Sequence, residues 1–265
     1  MNPFLYACHD PVRLERRWRR VARAARLEME VLAEADGYEV FYLRSRDRTP
    51  DGGIYLSAGI HGDEAAGTEG LIGWAEENVA QLRQLGCLIF PCLNPWGLAN
   101  NSRFDRRQND LNRAFHHDEN GQVRALKALV RPYRFSLALM LHEDYDGHGF
   151  YLYEIKSAAP TWGDDLLRLV EPLMPIETRR TIDGRRVSRT GLVQRRFKAA
   201  SIPLTPEALH LHLHHSRRTF TIETPSEFAL ETRVKVQKLV IGECVNRAIA
   251  ERRERGWSLR RRVRL

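Results

Sequence analysis

The sequence predicts an α/β fold in which one mixed, largely parallel sheet is flanked by helices on both faces. Stretches with strand patterns alternate along the chain with stretches of helical periodicity, as in domains built from β-α-β units. With 265 residues, 43% of them hydrophobic, the chain can form one large domain with a sizeable core. Because we see no internal repeat and no convincing linker, we expect a single domain over residues 1–265, with its core at about residues 38–252.

Helical signals open the chain and recur between the predicted strands. A basic amphipathic stretch begins at Pro11 and predicts a surface helix that Asp36-Gly37 ends. Thr49-Pro50-Asp51-Gly52-Gly53 predicts a turn before the next strand. The predicted helices cover residues 12–35, 65–85, 122–130, 164–170 and 231–252.

Strand signals fall between these helices. The predicted strands cover residues 38–44, 54–58, 88–93, 136–141, 150–155 and 219–222. Residues 94–115 form a polar stretch of about 22 residues, and a loop of that length in a compact domain is usually functional or disordered. Residues 179–215 are polar and basic, and their pattern assigns no structure.

The formal net charge is +8, and much of the excess lies at the two ends of the chain. Arg16-Arg17-Trp18-Arg19-Arg20 stands near the start and Arg260-Arg261-Arg262 near the end. Basic tracts with tryptophan can bind nucleic acid. No nucleic-acid-binding module accompanies them, so we favour a solvated N-terminal helix face and a charged C-terminal tail.

Neither a secretory signal nor a membrane span is predicted. Residues 1–20 contain no apolar core of a signal peptide, and no stretch approaches 18 apolar residues. The four cysteines form no Cys-x-x-Cys pair, and Cys87 and Cys92 flank an apolar strand. We therefore expect reduced cysteines and a cytoplasmic protein.

Chemically reactive residues follow three of the predicted strands. His61 and Glu64 come directly after the strand at 54–58, and His142 and Glu223 stand at the ends of two later strands. The carboxyl ends of strands form the active-site edge of open α/β sheets. Two histidines and one carboxylate are ligands of many catalytic zinc sites. Each is weak evidence alone, since a histidine at a strand end is often only a hydrogen-bonded structural residue.

Other polar groups suggest additional roles. Arg103 and Asp110-Leu111-Asn112-Arg113 stand in the long polar loop, where they could stabilise an oxyanion and a substrate carboxylate, or only form a solvated basic loop. The tract from His210 to His215 alternates histidine and leucine, which predicts a half-buried edge segment at the rim of the cleft rather than a second metal site. Asp144, Asp146 and His148 are either a turn or a further contact with substrate.

The ordered set of motifs resembles the zinc carboxypeptidase superfamily. That superfamily includes carboxypeptidase A-like enzymes, murein peptide amidases, and the succinylglutamate desuccinylase and aspartoacylase branch. The match spans about residues 54–226. The motifs are His61-x-x-Glu64, Asn94-Pro95-x-Gly97, Arg103, Asp110-x-Asn112-Arg113, His142 and Thr221-x-Glu223-Thr224-Pro225.

The resemblance implies a zinc carboxypeptidase-like, phosphorylase/hydrolase-like fold and a role for each matching residue. His61, Glu64 and His142 would hold one zinc ion, and Glu223 would be the general base for the metal-activated water. Arg103 would stabilise the oxyanion, and Asn112 and Arg113 would bind a substrate carboxylate. Asp110 would orient His61 from outside the ligand set.

The resemblance further implies a metallopeptidase or amidohydrolase that cleaves an amide bond next to a free carboxylate. The spacing from Arg103 to Arg113 and from Glu64 to His142 looks closest to the compact murein peptide amidase type. The alternatives are an N-acyl-amino-acid deacylase and, from another class, a non-catalytic basic binding protein on the same scaffold. The family's carboxypeptidases also use a mobile tyrosine; position alone does not choose among Tyr145, Tyr151 and Tyr153.

Overall fold

An eight-stranded mixed sheet forms the centre of the computed structural model, which describes residues 7–46, 51–155, 159–195 and 205–262. Its strands follow the order β1-β2-β4-β3-β5-β10-β6-β9, and a separate two-stranded hairpin is formed by β7 and β8. The strands are β1 (Leu27–Ala35), β2 (Tyr38–Ser45), β3 (Asp51–Ala58), β4 (Cys87–Phe90), β5 (Arg134–Asp144), β6 (Tyr151–Ile155), β7 (Thr181–Ile182), β8 (Arg185–Arg186), β9 (Leu192–Arg195) and β10 (Thr219–Pro225).

The middle of the sheet is parallel, and antiparallel pairs join it to the outer strands, among which β6 and β9 pair in parallel. Strands β4, β3, β5 and β10 run in parallel, whereas β1, β2 and β6 each pair antiparallel with a neighbour. Strand β5 is buried along nearly its whole length, as expected for a strand covered on both faces. The prediction of a mixed, largely parallel sheet is confirmed.

Helices cover both faces of this sheet. One face packs against α1, α2, α6 and α8, and the other packs against α5 and α7. The helices are α1 (Pro11–Ala25), α2 (Ala65–Glu77), α3 (Val79–Leu82), α4 (Pro95–Asn100), α5 (Gly121–Val130), α6 (Gly163–Val170), α7 (Glu207–His214) and α8 (Leu230–Arg262), with a 3₁₀ turn at Leu111–Arg113.

The N-terminal helix is shorter than the predicted one. The prediction of a helix over residues 12–35 is wrong for its second half, because α1 ends at Ala25 and residues 27–35 form β1. Arg26 adopts a left-handed conformation that caps the helix. Asp36 and Gly37 both have positive φ angles, as a two-residue hairpin loop between antiparallel strands requires. These two residues therefore join two strands instead of ending a helix.

Two further segments differ from the sequence-based expectation. The polar stretch of residues 94–115 contains helix α4 and the 3₁₀ turn, so it is not an open loop. The histidine tract expected to be an extended edge segment is mostly helix α7, and Leu209 and Leu211 on that helix are buried. The predicted helix at 65–85 is interrupted at Asn78. The turn predicted at residues 49–53 is wrong for residues 51–53, which begin β3, and residues 49–50 lie outside the described residues.

The basic N-terminal tract belongs to the packed structure. Trp18 is fully buried on α1, and Arg17 forms ion pairs with Glu69 and Glu76 of α2. Among the described helices, none combines the length and the apolar composition needed to cross a lipid bilayer.

Candidate active site

The predicted site residues meet at the edge where β3, β5 and β10 end. His61 follows β3 by three residues, and Glu64 stands immediately before the first residue of α2. His142 lies near the end of β5, and Glu223 of β10 is its direct partner in the parallel register. Residues far apart in the sequence are thereby brought together at the carboxyl edge of the parallel strands.

His61, Glu64 and His142 form a buried cluster. Each is less than 5% exposed. The Nδ1 atoms of His61 and His142 lie 2.5 Å and 2.8 Å from the two oxygens of the Glu64 carboxylate. One ligand atom from each residue lies within 4.8 Å of the others, so this cluster could hold a metal ion. Two imidazole nitrogens and a carboxylate are the donor set of many catalytic zinc sites, which keep a further position open.

Charge complementarity holds this cluster together. Burial alone would raise the pKa of the Glu64 carboxyl, but the neighbouring imidazoles of His61 and His142 outweigh it and hold the pKa well below its ordinary value. Burial disfavours a charged His61, yet the Glu64 carboxylate raises the pKa of that imidazole to about 9. The pKa of His142 is raised for the same reason. A divalent cation could replace the imidazole protons in balancing this carboxylate.

Asp110 and Arg103 also contact His61, Asp110 at Nε2 and Arg103 at Nδ1. His61 Nε2 lies 3.2 Å from Asp110 Oδ1, and Arg103 Nη2 donates to Asp110 Oδ2 at 3.0 Å. A carboxylate on the outer nitrogen of a ligand histidine fixes the orientation of its ring. Arg103 Nη1 lies 3.7 Å from Glu64 Oε1, so its guanidinium is beside the cluster. The orienting role of Asp110 stays a prediction, and these contacts are the ones that it requires.

Glu223 stands beside the cluster on the cavity side. It is half-buried, and its register partners are His142 on β5 and Tyr151 on β6. Burial raises the pKa of its carboxyl well above the ordinary value; the charge on His142 lowers this pKa, and the negative charge on Glu64 raises it.

All the predicted site residues except Asp110 line one cavity of about 450 Å³. The lining contains the three cluster residues with Arg103 and Glu223, and also Asn112 and Arg113. Asn112 and Arg113 belong to the 3₁₀ turn, whose first N–H groups are capped by Asp110. A further part of the lining, called the facing wall below, contains Asp144, Tyr151, Tyr153, Asp183 and Val193.

The facing wall was only partly anticipated. Tyr151 donates to Asp144 Oδ2 at 3.0 Å, and Tyr153 donates to Asp183 Oδ2 at 2.5 Å. Arg179 also donates to Asp144 Oδ2, at 2.6 Å, so protein groups already engage that carboxylate. The signal for the tyrosines was their i, i+2 spacing on a strand, which places both on one face. Nothing in the sequence indicated Asp183.

Behind the cluster, a buried carboxylate joins three elements. Glu143 Oε2 accepts the Ala66 N–H of α2 at 2.8 Å, and its other oxygen accepts from Arg233 of α8. Burial raises the pKa of Glu143 to about 7, although the charge of Arg233 lowers it. Gln237 donates to the backbone carbonyl of His142 at 2.9 Å. This network fixes the start of α2, where Glu64 stands, against the strand that carries His142.

A backbone contact explains the Asn94-Pro95-x-Gly97 motif. Asn94 Oδ1 accepts the Gly97 N–H at 2.8 Å, and Gly62 N–H donates to the Ser102 carbonyl at 3.0 Å. A Cβ atom on Gly62 would lie 1.9 Å from the backbone carbonyl carbon of Gly97. Only glycine at position 62 permits this approach, so the loop carrying His61 and Glu64 packs directly on the loop that leads to Arg103.

The histidine tract forms no comparable cluster. His210, His214 and His215 have ring centroids between 5.1 and 6.1 Å apart. Within the described residues, the set of His61, Glu64 and His142 is the one group of three or more His, Cys, Asp or Glu residues with converging ligand atoms. The tract lies mostly on α7 and does not extend the cluster of His61, Glu64 and His142.

Comparison with known proteins gives a family match over part of the chain. Residues 50–148 match the succinylglutamate desuccinylase/aspartoacylase catalytic domain. That segment includes His61, Glu64 and His142 and ends before Glu223. A comparison with curated protein sequences gives no significant match.

Solved structures share the fold at low sequence identity. A candidate metallopeptidase from Shewanella amazonensis aligns with a TM-score of 0.80 and 22% identity over 91% of this chain and 94% of its own. The carboxypeptidase A of Helicoverpa armigera aligns with a TM-score of 0.64 and 12% identity over 91% of this chain and 73% of its own.

A metallo-carboxypeptidase from Pseudomonas aeruginosa, solved with (2-guanidinoethylmercapto)succinic acid, aligns with a TM-score of 0.59 and 18% identity over 89% of this chain and 68% of its own. The chain thus resembles the succinylglutamate desuccinylase/aspartoacylase catalytic domain over residues 50–148 and shares its overall fold with metallopeptidases and carboxypeptidases.

Proposed function

We propose that this chain is a zinc-dependent hydrolase that cleaves an amide bond next to a free carboxylate of its substrate. The observation that carries the proposal is the shared cavity. A buried His-Glu-His cluster, a neighbouring glutamate, and the donors of Asn112 and Arg113 all face the same space of about 450 Å³. A metal-assisted amide hydrolysis needs these groups together.

The chemistry assigns each residue a task. His61, Glu64 and His142 would hold the zinc ion, which when bound supplies a Lewis acid and lowers the pKa of water. Glu223 would accept a proton from the attacking water and deliver it to the leaving amine. Arg103 would donate hydrogen bonds to the oxygen of the scissile carbonyl as negative charge develops there.

Asn112 and Arg113 would bind the substrate carboxylate. An arginine guanidinium beside a carboxamide donor suits a carboxylate, because charge-assisted hydrogen bonds to an anion are stronger than neutral ones. Since both residues line the cavity that contains Glu223, a bound carboxylate would place a neighbouring amide bond near that glutamate.

Two substrate classes fit this chemistry. A peptide with a free C-terminal carboxylate is favoured by the likeness to carboxypeptidases in fold. An N-acyl amino acid is favoured by the family match over residues 50–148. Both classes present an amide bond close to a carboxylate, so the proposed mechanism is common to them.

A substrate panel with metal analysis tests the proposal. Zinc-loaded and chelator-treated protein would be assayed on peptides with free or amidated C-termini and on N-acyl amino acids. We expect about one zinc ion per chain and hydrolysis confined to substrates with a free carboxylate. Zinc-loaded protein that hydrolyses none of them but binds nucleic acid in a salt-dependent manner would instead support a non-catalytic binding protein.

The metal-ligand assignment has its own test. His142→Ala should lose most of the bound zinc, whereas His148→Ala, which alters an exposed histidine six positions away, should keep it. Zinc content measured by mass spectrometry gives the answer. An unchanged stoichiometry in the His142 variant would remove this residue from the ligand set.

A further inference from the structure

Glu207 is a buried acidic residue that the proposed mechanism does not use. It is the first residue of α7 and is 1% exposed. Its Oε1 atom accepts a hydrogen bond from the hydroxyl of Tyr55, a fully buried residue of β3. Its Oε2 atom is buried and forms no hydrogen bond of ordinary geometry among the described residues, although the Ser57 hydroxyl lies beside the carboxyl group. Burial of an incompletely bonded carboxyl group is costly, so its presence calls for a function.

The backbone of the same residue contacts the carboxylate-binding turn. The Glu207 N–H donates to Asn112 Oδ1 at 2.9 Å. A carboxamide has an acceptor oxygen and a donor NH₂ group, and a backbone N–H can pair only with the oxygen. The bond therefore turns the oxygen of Asn112 toward α7 and leaves its Nδ2 donor for the cavity that Asn112 lines.

The side chain of Glu207 anchors this arrangement to the sheet. Tyr55 lies on β3, the strand that leads to His61. A second bond, from the Phe115 N–H to the Thr205 carbonyl at 3.1 Å, ties the segment before α7 to the residues after the 3₁₀ turn. The start of α7 is thus fixed both to the strand that leads to the metal ligands and to the turn that carries Asn112.

We infer that Glu207 is a positioning residue for recognition of the substrate carboxylate. Its carboxyl group anchors the start of α7 to β3, and its N–H orients the Asn112 carboxamide with the donor toward the substrate. In the reversed orientation, the amide oxygen would face the substrate carboxylate and repel it. The inference rests on the proposed function, because it takes Asn112 to be a ligand of that carboxylate.

Two substitutions at position 207 separate the backbone bond from the carboxyl anchor. Glu207→Ala removes the carboxyl group and keeps the N–H, whereas Glu207→Pro removes both. Proline is tolerated at the first position of a helix. Pro206 has φ −74° and ψ 162°, an extended conformation that a following proline accepts. The difference between the two variants therefore isolates the bond to Asn112.

The measurement is kcat and KM of the zinc-loaded variants on a substrate with a free carboxylate and on its amide-capped counterpart. We expect Glu207→Pro to raise KM for the carboxylate substrate about tenfold above that of Glu207→Ala, with kcat changed much less. The amide-capped substrate should show no such difference. Equal KM values for the two variants, or an equal change on both substrates, would overturn the inference.

Asn112→Asp provides a second test if the proline variant does not fold. The aspartate keeps an oxygen for the Glu207 N–H but replaces the donor that faces the cavity with an acceptor. KM should rise at least tenfold for the carboxylate substrate only, and an unchanged KM would overturn the inference. A wild-type enzyme without any preference for the free carboxylate would defeat the proposed function as well. A wild-type enzyme with that preference and equal KM values for the two Glu207 variants would defeat this inference alone.

Discussion

The two sides of the cavity are constructed differently. On the metal-ligand side, His61, Glu64 and His142 are buried, and backbone groups as well as side chains hold the elements that carry them. The facing wall comes from β6, β9, the β7–β8 hairpin and the last residue of β5, Asp144. On the hairpin, Asp183 is exposed and is held by a side-chain bond from Tyr153.

This difference separates chemistry from selectivity. The metal-ligand side depends on the central parallel strands and on residues whose loss would leave buried charges unpaired. The facing wall packs in a small cluster of its own, formed by Tyr151, Ile182 and Val193. Substitutions on the first side should therefore abolish binding or turnover, and substitutions on the second should alter the choice of substrate.

The largest effect is expected from Glu223→Gln. The substitution preserves the shape of the side chain and removes the proton acceptor, so kcat should fall roughly 10²–10⁴-fold. Zinc content should stay at the wild-type level, because Glu223 is not one of the three predicted ligands. Steady-state kinetics with metal analysis provides the measurement, and full activity in this variant would refute the proposed mechanism.

Gly62→Ala should strongly disturb the metal-ligand side without changing any ligand. Its Cβ would collide with the backbone of Gly97, which cannot move aside as a flexible side chain could. We expect a destabilisation of about 3 kcal/mol together with weakened zinc binding. Gly121→Ala is the matched control, because its Cβ would meet no atom closer than 3.8 Å. Thermal unfolding is the measurement. A wild-type Tm for both variants would contradict the close approach of Gly62 to the Gly97 backbone.

Asp110→Asn should weaken metal binding to an intermediate degree. The carboxamide oxygen can still cap the 3₁₀ turn, but the charge beside His61 is lost, and zinc affinity should fall roughly 10–100-fold. Asp105→Asn changes a carboxylate of the same loop that bonds Asn109 and serves as the control. Calorimetric titration measures the zinc affinity of both variants. Equal affinities would contradict the proposal that Asp110 orients His61 for metal binding.

The smallest effect on the fold is expected from Tyr153→Phe on the facing wall. Loss of its bond to Asp183 should change the free energy of unfolding by less than about 1 kcal/mol and leave zinc content unchanged. The ranking of substrates by kcat/KM should shift. Tyr145→Phe changes a residue that is 78% exposed and should leave this ranking as in the wild type. A Tyr153 variant that loses zinc would show that the two sides are not independent.

Local patterns predicted the strand ends, and with them that His61, Glu64 and His142 lie together. The strands that lead to His61, His142 and Glu223 are short apolar runs, and parallel pairing necessarily brings their ends to one edge. The segment at 27–35 was misread because its alternating apolar and acidic residues follow a helical stretch without a break in hydrophobicity. The segment forms a strand because it pairs with β2 and because the left-handed cap at Arg26 ends the preceding helix. Neither feature can be predicted from the segment's own residues.

The buried carboxyl groups could not be predicted. Glu143 and Glu207 look like ordinary surface residues in the sequence, since their partners Arg233 and Tyr55 lie 90 and 152 positions away. Acidic residues are rarely buried unless paired, and a single sequence does not reveal such pairs. The helical form of the histidine tract also depends on tertiary packing, because Leu211 is buried against the sheet.

The antiparallel direction of β6 has a consequence for how related chains could diverge. Strands β3, β5 and β10 finish at the cavity, whereas β6 starts there, with Tyr151 beside Glu223. Residues added between Asp144 and Tyr151 would therefore enter at the mouth of the cavity without changing the length or register of any strand that carries a predicted ligand. Evolution or protein engineering could therefore vary the length of this connection while the residues of the proposed hydrolytic chemistry stay in place.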